Sequence, residues 1–281
     1  MLSPRLGDAM FDVLRPWLER LPQDRWPTHD ELNALAAGIT TSRGMPLRFV
    51  PPQGETRGRT PGTHPGVRPR VPHRYYELHV AETGEVPTRA GNWHDLFNAL
   101  AWIAFPRTKA QINAQHVAIL TEGGEPETRH RSPARDALTL FDEGGVIVAS
   151  SSPELLRLIT AFEWKSLFWE RRAELAQKMR FFAFGHGLLE QALNPYIGMV
   201  AKTVFIPVGD FFFMLAPESQ REEADRLVAA HFAERTRFPS AKAMAPMPVL
   251  GVPGWHPRTA SQEFYGESSY FRSRKREARS P

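Results

Sequence analysis

Histidine, aspartate, asparagine and lysine stand inside apolar surroundings in NWHDLFNALAWIAFPRTKAQINAQH, residues 92–116. His94 and Asn98 are four apart, and Asp95 and Asn98 three apart, so on a helix they share one side. Lys109, Asn113 and His116 follow i, i+4, i+7 spacing and share a face of a second helix. Folded as a hairpin, the two helices turn both polar stripes toward one cleft, with Trp93, Phe97, Leu100 and Trp102 as apolar walls. A histidine base, an orienting carboxylate and hydrogen-bond donors are the parts of general acid–base or nucleophilic catalysis. Each residue also has a plainer use. Asp95 complements a helix N-terminus, Asn98 and Asn113 can cross-link buried backbone, and a single histidine often serves packing alone.

Two further blocks carry similar groups. In ARDALTLFDEGG, residues 134–145, Arg135 and Asp136 precede a β-rich run and Asp142 and Glu143 end it. Carboxylates at a strand end are placed to face a cleft, while Asp-Glu-Gly-Gly is also ordinary turn chemistry. In FFAFGHGLLEQALNPY, residues 181–196, Gly185 and Gly187 flank His186 and permit close approach. Glu190 lies four residues on, on the same helical side, a spacing suited to a metal or a His–carboxylate pair. It is not the H-E-x-x-H spacing, and no Walker loop, dinucleotide-binding glycine fingerprint, G-x-S-x-G or EF-hand pattern occurs.

The elements that must position these groups follow from periodicity. Residues 3–42 read as helical, with Thr28 and Glu31 forming a capping box for a second helix. Tyr75 to Val80 alternates as a strand, with Glu85 to Thr88 as its partner. Helices are expected over 92–105, capped by Asn92, and over 107–120. Ala137 to Asp142 and Val146 to Ser150 read as a hairpin about Glu143-Gly144-Gly145. Ser152-Pro153 opens a helix to Ile159; further helices are expected over 162–179, 186–193 and 218–235. Thr203 to Val208 and Asp210 to Leu215 read as strands. The fold class expected is α+β: a predominantly helical single domain with β-hairpins and a small sheet. Its parts are an N-terminal helical region 1–50, a Pro/Gly/Arg-rich flexible insert 51–74, a main domain 75–272 and a basic tail 273–281.

Composition narrows the chemistry. With 281 residues and 42% hydrophobic content the chain can build a real core. The absence of cysteine excludes disulfides, thiolate catalysis and Cys-type zinc or iron–sulfur sites, so any metal needs His and carboxylate ligands. Charged residues interrupt the first seventeen positions, and the greasiest run, Phe211 to Ala216, is too short to span a bilayer; a cytoplasmic protein without membrane contact is expected. The formal charge of +4 sits largely in the insert and the tail.

The motifs WHDLFNALAW with FPRTKAQINAQH, RDALTLFDE, and FGHGLLEQ followed by PY resemble the bacterial domain of unknown function numbered 3025. The likeness extends to VLGVPGWHP and FYGESSYFR and covers most of the chain from Tyr75 to Arg272, not the proline-rich insert. It implies no reaction, cofactor or catalytic residue.

Three functional readings stand. The favoured one is a hydrolase in which His94, His116 and His186 meet Asp95, Asp136, Asp142 and Glu190 around one cleft, with or without Zn2+ or Mn2+. His94 and His186 are the preferred ligands, Asp95 or Glu190 orients a histidine or acts as base, and Arg135 and Lys109 hold a small anionic substrate. The second is a binding or assembly protein whose polar blocks form a buried network and whose Trp164, Phe168 and Trp169 make an interface. The third is nucleic-acid binding through the arginine-rich insert and tail.

Overall fold

The structure, a computed structural model, describes residues 4–52, 73–122 and 132–273. The insert is therefore described only at its edges, and the basic tail lies outside the described residues but for Ser273. The N-terminal part begins as 3-10 turns at Pro4–Gly7 and Ala9–Leu14, then α1 (Arg15–Leu18) and α2 (His29–Leu35). Thr28 and Glu31 close the expected capping box on α2. Strand β1 (Arg48–Val50) pairs in parallel with β2 (Glu85–Pro87).

Between those strands runs α3 (His73–Thr83), where a strand was expected. Glu77, Val80 and Ala81 are its buried positions, a helical spacing that short-range alternation disguised. Gly84 ends the helix at φ +73°, and a Cβ there would sit 2.1 Å from the Pro46 carbonyl oxygen, so both conformation and space require glycine.

Next come α4 (Trp93–Ala104) and α5 (Pro106–Thr121), the expected helical pair. Asn92 caps α4 by accepting the Asp95 backbone N–H at 3.0 Å. α5 starts at Pro106 and is capped from a distance. Asp225 accepts the Arg107 and Thr108 backbone N–H groups at 3.0 and 2.8 Å, and the Thr108 hydroxyl donates back to the Asp225 carbonyl at 3.1 Å.

The chain then forms α6 (Pro133–Gly144), β3 (Gly145–Ser150), α7 (Pro153–Ala161), α8 (Arg172–Lys178), β4 (Met179–Ala183), α9 (His186–Ala192), β5 (Val200–Pro207), α10 (Pro217–Ala233) and β6 (Ala245–Pro248). The expected hairpin at 137–150 is instead α6 running straight into β3. Ser132 caps α6 and Pro133 opens it, the same signal that Ser152 and Pro153 give α7. Ala137, Leu138 and Phe141 are buried while Leu140 is exposed, a helical pattern. The helix expected over 162–179 is broken, because Phe162 takes a left-handed conformation at φ +60° as the cap of α7. A π-helical turn at Ser166–Glu170 and α8 follow, and Met179 already belongs to β4. The strand expected at Asp210 to Leu215 is a 3-10 turn, Asp210–Met214. Phe211 and Met214 both face outward, the three-residue repeat of that helix rather than the two-residue repeat of a strand.

β3 is central in a four-stranded sheet of order β4-β3-β5-β6, parallel to β5 and antiparallel to β4. All six residues of β3 are buried, so its sequence is a continuous apolar run rather than an alternating one. α6 and α10 pack on β3 and β5, and α5 lies along α10. The architecture is α+β and mostly helical. Three aromatic rings join its parts: Phe184 stacks on Phe141 with centroids 4.9 Å apart and meets Phe105 edge-on at 5.4 Å. Each such pair adds about 0.5–1.5 kcal/mol beyond burial. These rings precede Asp142, Gly185-His186 and α5, so core packing fixes where the polar groups emerge.

Asp225→Ala removes two bonds from the start of α5 and leaves buried N–H groups unpaired. Chemical denaturation should show a loss of about 1–3 kcal/mol, carried mainly by a lower midpoint.

Candidate functional site

The polar centre lies where the first turn of α4, the end of α6 and the start of α9 converge, with α5 behind them. α4 brings His94 and Asn98, α5 brings Lys109, Asn113 and His116, α6 ends in Asp142 and Glu143, and α9 carries His186 and Glu190. Two glycines permit the approach of α9 to α6. A Cβ on Gly185 would lie 2.5–2.6 Å from backbone atoms of Glu143, Gly144 and Gly145. A Cβ on Gly187 would lie 2.6 Å from Glu143 Oε2. The chain comes this close only because neither residue has a side chain.

The open half of the centre contains His94, Glu143, His186 and Glu190. His94 Nε2 and His186 Nε2 face each other at 3.2 Å. Glu143 Oε1 stands 3.5 Å from His186 Nε2 and 3.9 Å from His94 Nε2. Each imidazole has a carboxylate on its other side. His94 Nδ1 donates to Glu190 Oε2 at 2.9 Å, and Asp142 Oδ2 lies 3.7 Å from His186 Nδ1. A carboxylate accepts, so His94 carries its hydrogen on Nδ1 and presents a lone pair at Nε2. If His186 answers Asp142 in the same way, three acceptor atoms meet with no donor among them. If it donates from Nε2 to His94 instead, its buried Nδ1 turns a lone pair toward the Asp142 carboxylate. Nδ1 has no hydrogen-bond partner. A cation resolves the conflict, either a metal ion between the three atoms or a second proton on the ring.

The spacing suits a metal. Two nitrogens bound to one tetrahedral zinc at about 2.0–2.1 Å lie roughly 3.3 Å apart. His94, Glu143 and His186 offer ligand atoms all within 4.8 Å of one another. Burial pushes the Glu143 carboxyl up, but the bond and charge of His186 and the charge of His94 outweigh it and hold the group below its ordinary range. His94 is 32% and Glu143 41% exposed against 7% for His186, so the cluster opens to solvent on the side away from the core.

The closed half holds two bonded groups, one about Lys109 and one between Asn113 and Glu77. Lys109 Nζ donates to Asn98 Oδ1 at 2.8 Å and to both oxygens of Asp142 at 2.6 and 2.9 Å. Asn98 donates to the Tyr76 hydroxyl at 3.2 Å. Asn113 donates to the Glu77 carbonyl at 2.9 Å and its carboxyl at 2.6 Å. Burial pushes Asp142 up, yet the Lys109 ammonium, His186 and His116 together hold it below its ordinary range. Glu77 goes the other way. Burial dominates, the Asp142 charge adds to it, and the bond from Asn113 with the charges of Lys109 and Arg135 only partly compensates, leaving Glu77 raised to about 7.

Of the residues singled out from sequence, His94, Asn98, Lys109, Asp142, His186 and Glu190 come together. His116 and Arg135 reach the centre through their charges on Asp142 and Glu77. Asp95 does not take part: its carboxylate is held by Arg89 through the backbone N–H at 2.7 Å and two guanidinium bonds at 2.8 Å. Asp136 stands in the first turn of α6, at the opposite end from Asp142. Lys109 is 4% exposed with its donors on Asn98 and Asp142, not presented to a substrate. Glu143, read at a strand end or in a turn, supplies the third atom of the open cluster; the Ser132-Pro133 helix start was the signal that would have carried it there. Tyr76 and Glu77 were hidden in the presumed strand. A cavity of about 610 Å³ lined by Arg107, Phe211, Phe212 and Leu227 lies apart from these residues.

The chain belongs to the family described as protein of unknown function (DUF3025), which matches residues 67–275 and so includes every residue of this centre. No curated protein and no solved structure matches the chain. Among the described residues, no helix is long and apolar enough to cross a membrane.

The Glu77 carboxyl binds its proton more tightly folded, at about 7, than at its ordinary 4.5. Its favourable contribution is complete below the lower value and is lost as pH rises through the upper one, at a cost of up to about 3 kcal/mol. Glu77→Gln, neutral throughout, should therefore gain stability relative to the parent between acidic and mildly alkaline pH. Unfolding curves across that range that stay a constant distance apart would refute the assignment.

Proposed function

We propose that this protein is a divalent-metal-dependent hydrolase whose ion is held by His94 Nε2, His186 Nε2 and Glu143 Oε1. The observation that carries the reading is the meeting of His94 Nε2, His186 Nε2 and Glu143 Oε1 at ligand spacing, with a carboxylate facing the other nitrogen of each imidazole. Carboxylate–histidine–metal arrangements of this kind orient the ring and raise its basicity. Three protein ligands leave a fourth position for water or substrate, the hallmark of a catalytic rather than a structural zinc site. A metal bound there lowers the pKa of its water and polarises a carbonyl or phosphoryl oxygen. The exposure of His94, Glu143 and Glu190 leaves that position accessible to substrate. Glu190 serves as the orienting carboxylate of His94.

A second reading is supported by the bonds of the closed half. There the polar groups fix the fold, and His186 carries the missing positive charge as an imidazolium within a purely structural network.

The two readings part on metal content. Protein purified without chelator or affinity metal should contain close to one Zn or Mn per chain by elemental analysis. His94→Ala, His186→Ala and Glu143→Gln should fold and lose affinity by more than the roughly 10–100-fold that outer-sphere changes cost. Gly187→Ala, which pushes on the Glu143 carboxylate but not on backbone closer than 3.1 Å, should weaken metal binding while leaving the fold intact. Hydrolysis of nitrophenyl acetate, a nitroanilide or nitrophenyl phosphate should vanish with chelator and return with metal. A metal-free parent that takes up no added Zn2+ would leave the structural network as the role of these groups.

A further inference from the structure

A line of contacts begins on α4 and ends at the buried histidine. Asn98 Oδ1 accepts from Lys109 Nζ, Lys109 Nζ spans both oxygens of Asp142, and Asp142 Oδ2 faces His186 Nδ1 at 3.7 Å. The Lys109 and Asp142 side chains are 4% and 20% exposed. An ammonium so enclosed and so bonded has no hydrogen left for a substrate. It does hold the carboxylate in one place, by a chelating grip on both oxygens.

We propose that Asn98, Lys109 and Asp142 form a positioning arm that keeps the His186 hydrogen on Nδ1. The His186 Nε2 lone pair is thereby aimed at the space shared with His94 Nε2 and Glu143 Oε1, and the arm sets the affinity of that space for a divalent cation. The inference rests on the metal-centre reading and deepens it. His186 has two neutral tautomers here. With its hydrogen on Nε2 it donates to His94 Nε2 at 3.2 Å, occupies both nitrogens and closes the site to a metal. With its hydrogen on Nδ1 the site is open. The Asp142 carboxylate, 3.7 Å from Nδ1 and thus beyond hydrogen-bond length, favours the second form through its charge, and Lys109 prevents that carboxylate from turning away. His94 needs no such arm, since Glu190 already accepts from its Nδ1 at 2.9 Å.

Imidazole nitrogen NMR on the metal-free full chain reads the tautomer directly, and competition with a chromophoric chelator reads Zn2+ affinity. In the parent protein His186 should carry its hydrogen on Nδ1. Asp142→Asn should move population toward the Nε2–H form and weaken Zn2+ binding roughly 10–100-fold, with the His94 signals unchanged. Asn98→Ala, at a half-buried position, should shift both readouts in the same direction by less, and it decides the matter if Asp142→Asn does not fold. A parent His186 protonated at Nε2, or folded variants with parental Zn2+ affinity, would overturn the positioning arm while the metal centre stands. A parent that binds no Zn2+ overturns the metal centre itself, and the arm with it.

Discussion

Lys109 carries its charge to a place almost closed to solvent, and Asp142 is what makes that tolerable. Removing one partner from a buried ion pair leaves the other uncompensated, at a cost of about 3–5 kcal/mol. The pair therefore ties the first turns of α5 to the last turn of α6, and neither partner can be lost alone without penalty. Asn98 extends the constraint to α4 through the same ammonium. Asp225 anchors the start of α5 to α10 from the other side. The position of Glu143 follows from all of this, because it is the next residue after Asp142 and the end of α6 has nowhere else to go.

The approach of α9 depends on a different kind of constraint, the absence of side chains. β4 runs into Phe184, whose ring is locked between Phe141 and Phe105, and the chain then passes the end of α6 at backbone contact distance. Phe184 and Gly185 both donate their backbone N–H groups to the Gly145 carbonyl, at 3.1 and 2.9 Å. That ties the start of α9 to the start of β3. His186 is consequently the first helical residue after a rigid junction, and its ring has little freedom to choose where its nitrogens point. An aromatic core, two glycines and an ion pair together place His94 Nε2, His186 Nε2 and Glu143 Oε1 within 4.8 Å of one another.

Most of the helical skeleton was legible in the sequence, for a physical reason. Caps such as Thr28, Asn92 and Ser152 are local signals that tertiary contacts seldom override. The failures share a cause as well. TLF before Gly-Gly and YYELHV both read as β when taken in short windows, whereas their burial follows i, i+3, i+4 once α5, α9 and the sheet surround them. The misreading of α6 mattered most, since it put Glu143 at a strand end or in a hairpin turn rather than at the end of a helix beside His186. The grouping of His94, Asn98, Lys109, Asp142, His186 and Glu190 survived it, because helix spacing put the groups of the first and third blocks on single faces and Asp142 was expected to face a cleft from the end of its element. What no spacing could give was the pairing between blocks, such as His94 with Glu190, ninety-six residues away.

The polar residues lodged in apolar blocks invited two explanations, catalysis and structure, and the geometry divides them rather than choosing one. In the closed half Lys109 and Asp142 balance each other, Asn98 joins Lys109 to Tyr76, and Asn113 donates to Glu77 while its own Oδ1 has no hydrogen-bond partner among the described residues. In the open half two imidazoles, their Nδ1 atoms facing Glu190 and Asp142, meet the carboxylate of Glu143, and among the described residues no lysine or arginine is paired with Glu143 or Glu190. With neutral rings the two carboxylates leave an excess of two negative charges on the side open to solvent. A divalent cation between His94, Glu143 and His186 would cancel that excess, whereas a proton on His186 would cancel only half of it. The charge excess and the distances both support the proposed metal, at the boundary between the buried Lys109–Asp142 pair and the side open to solvent.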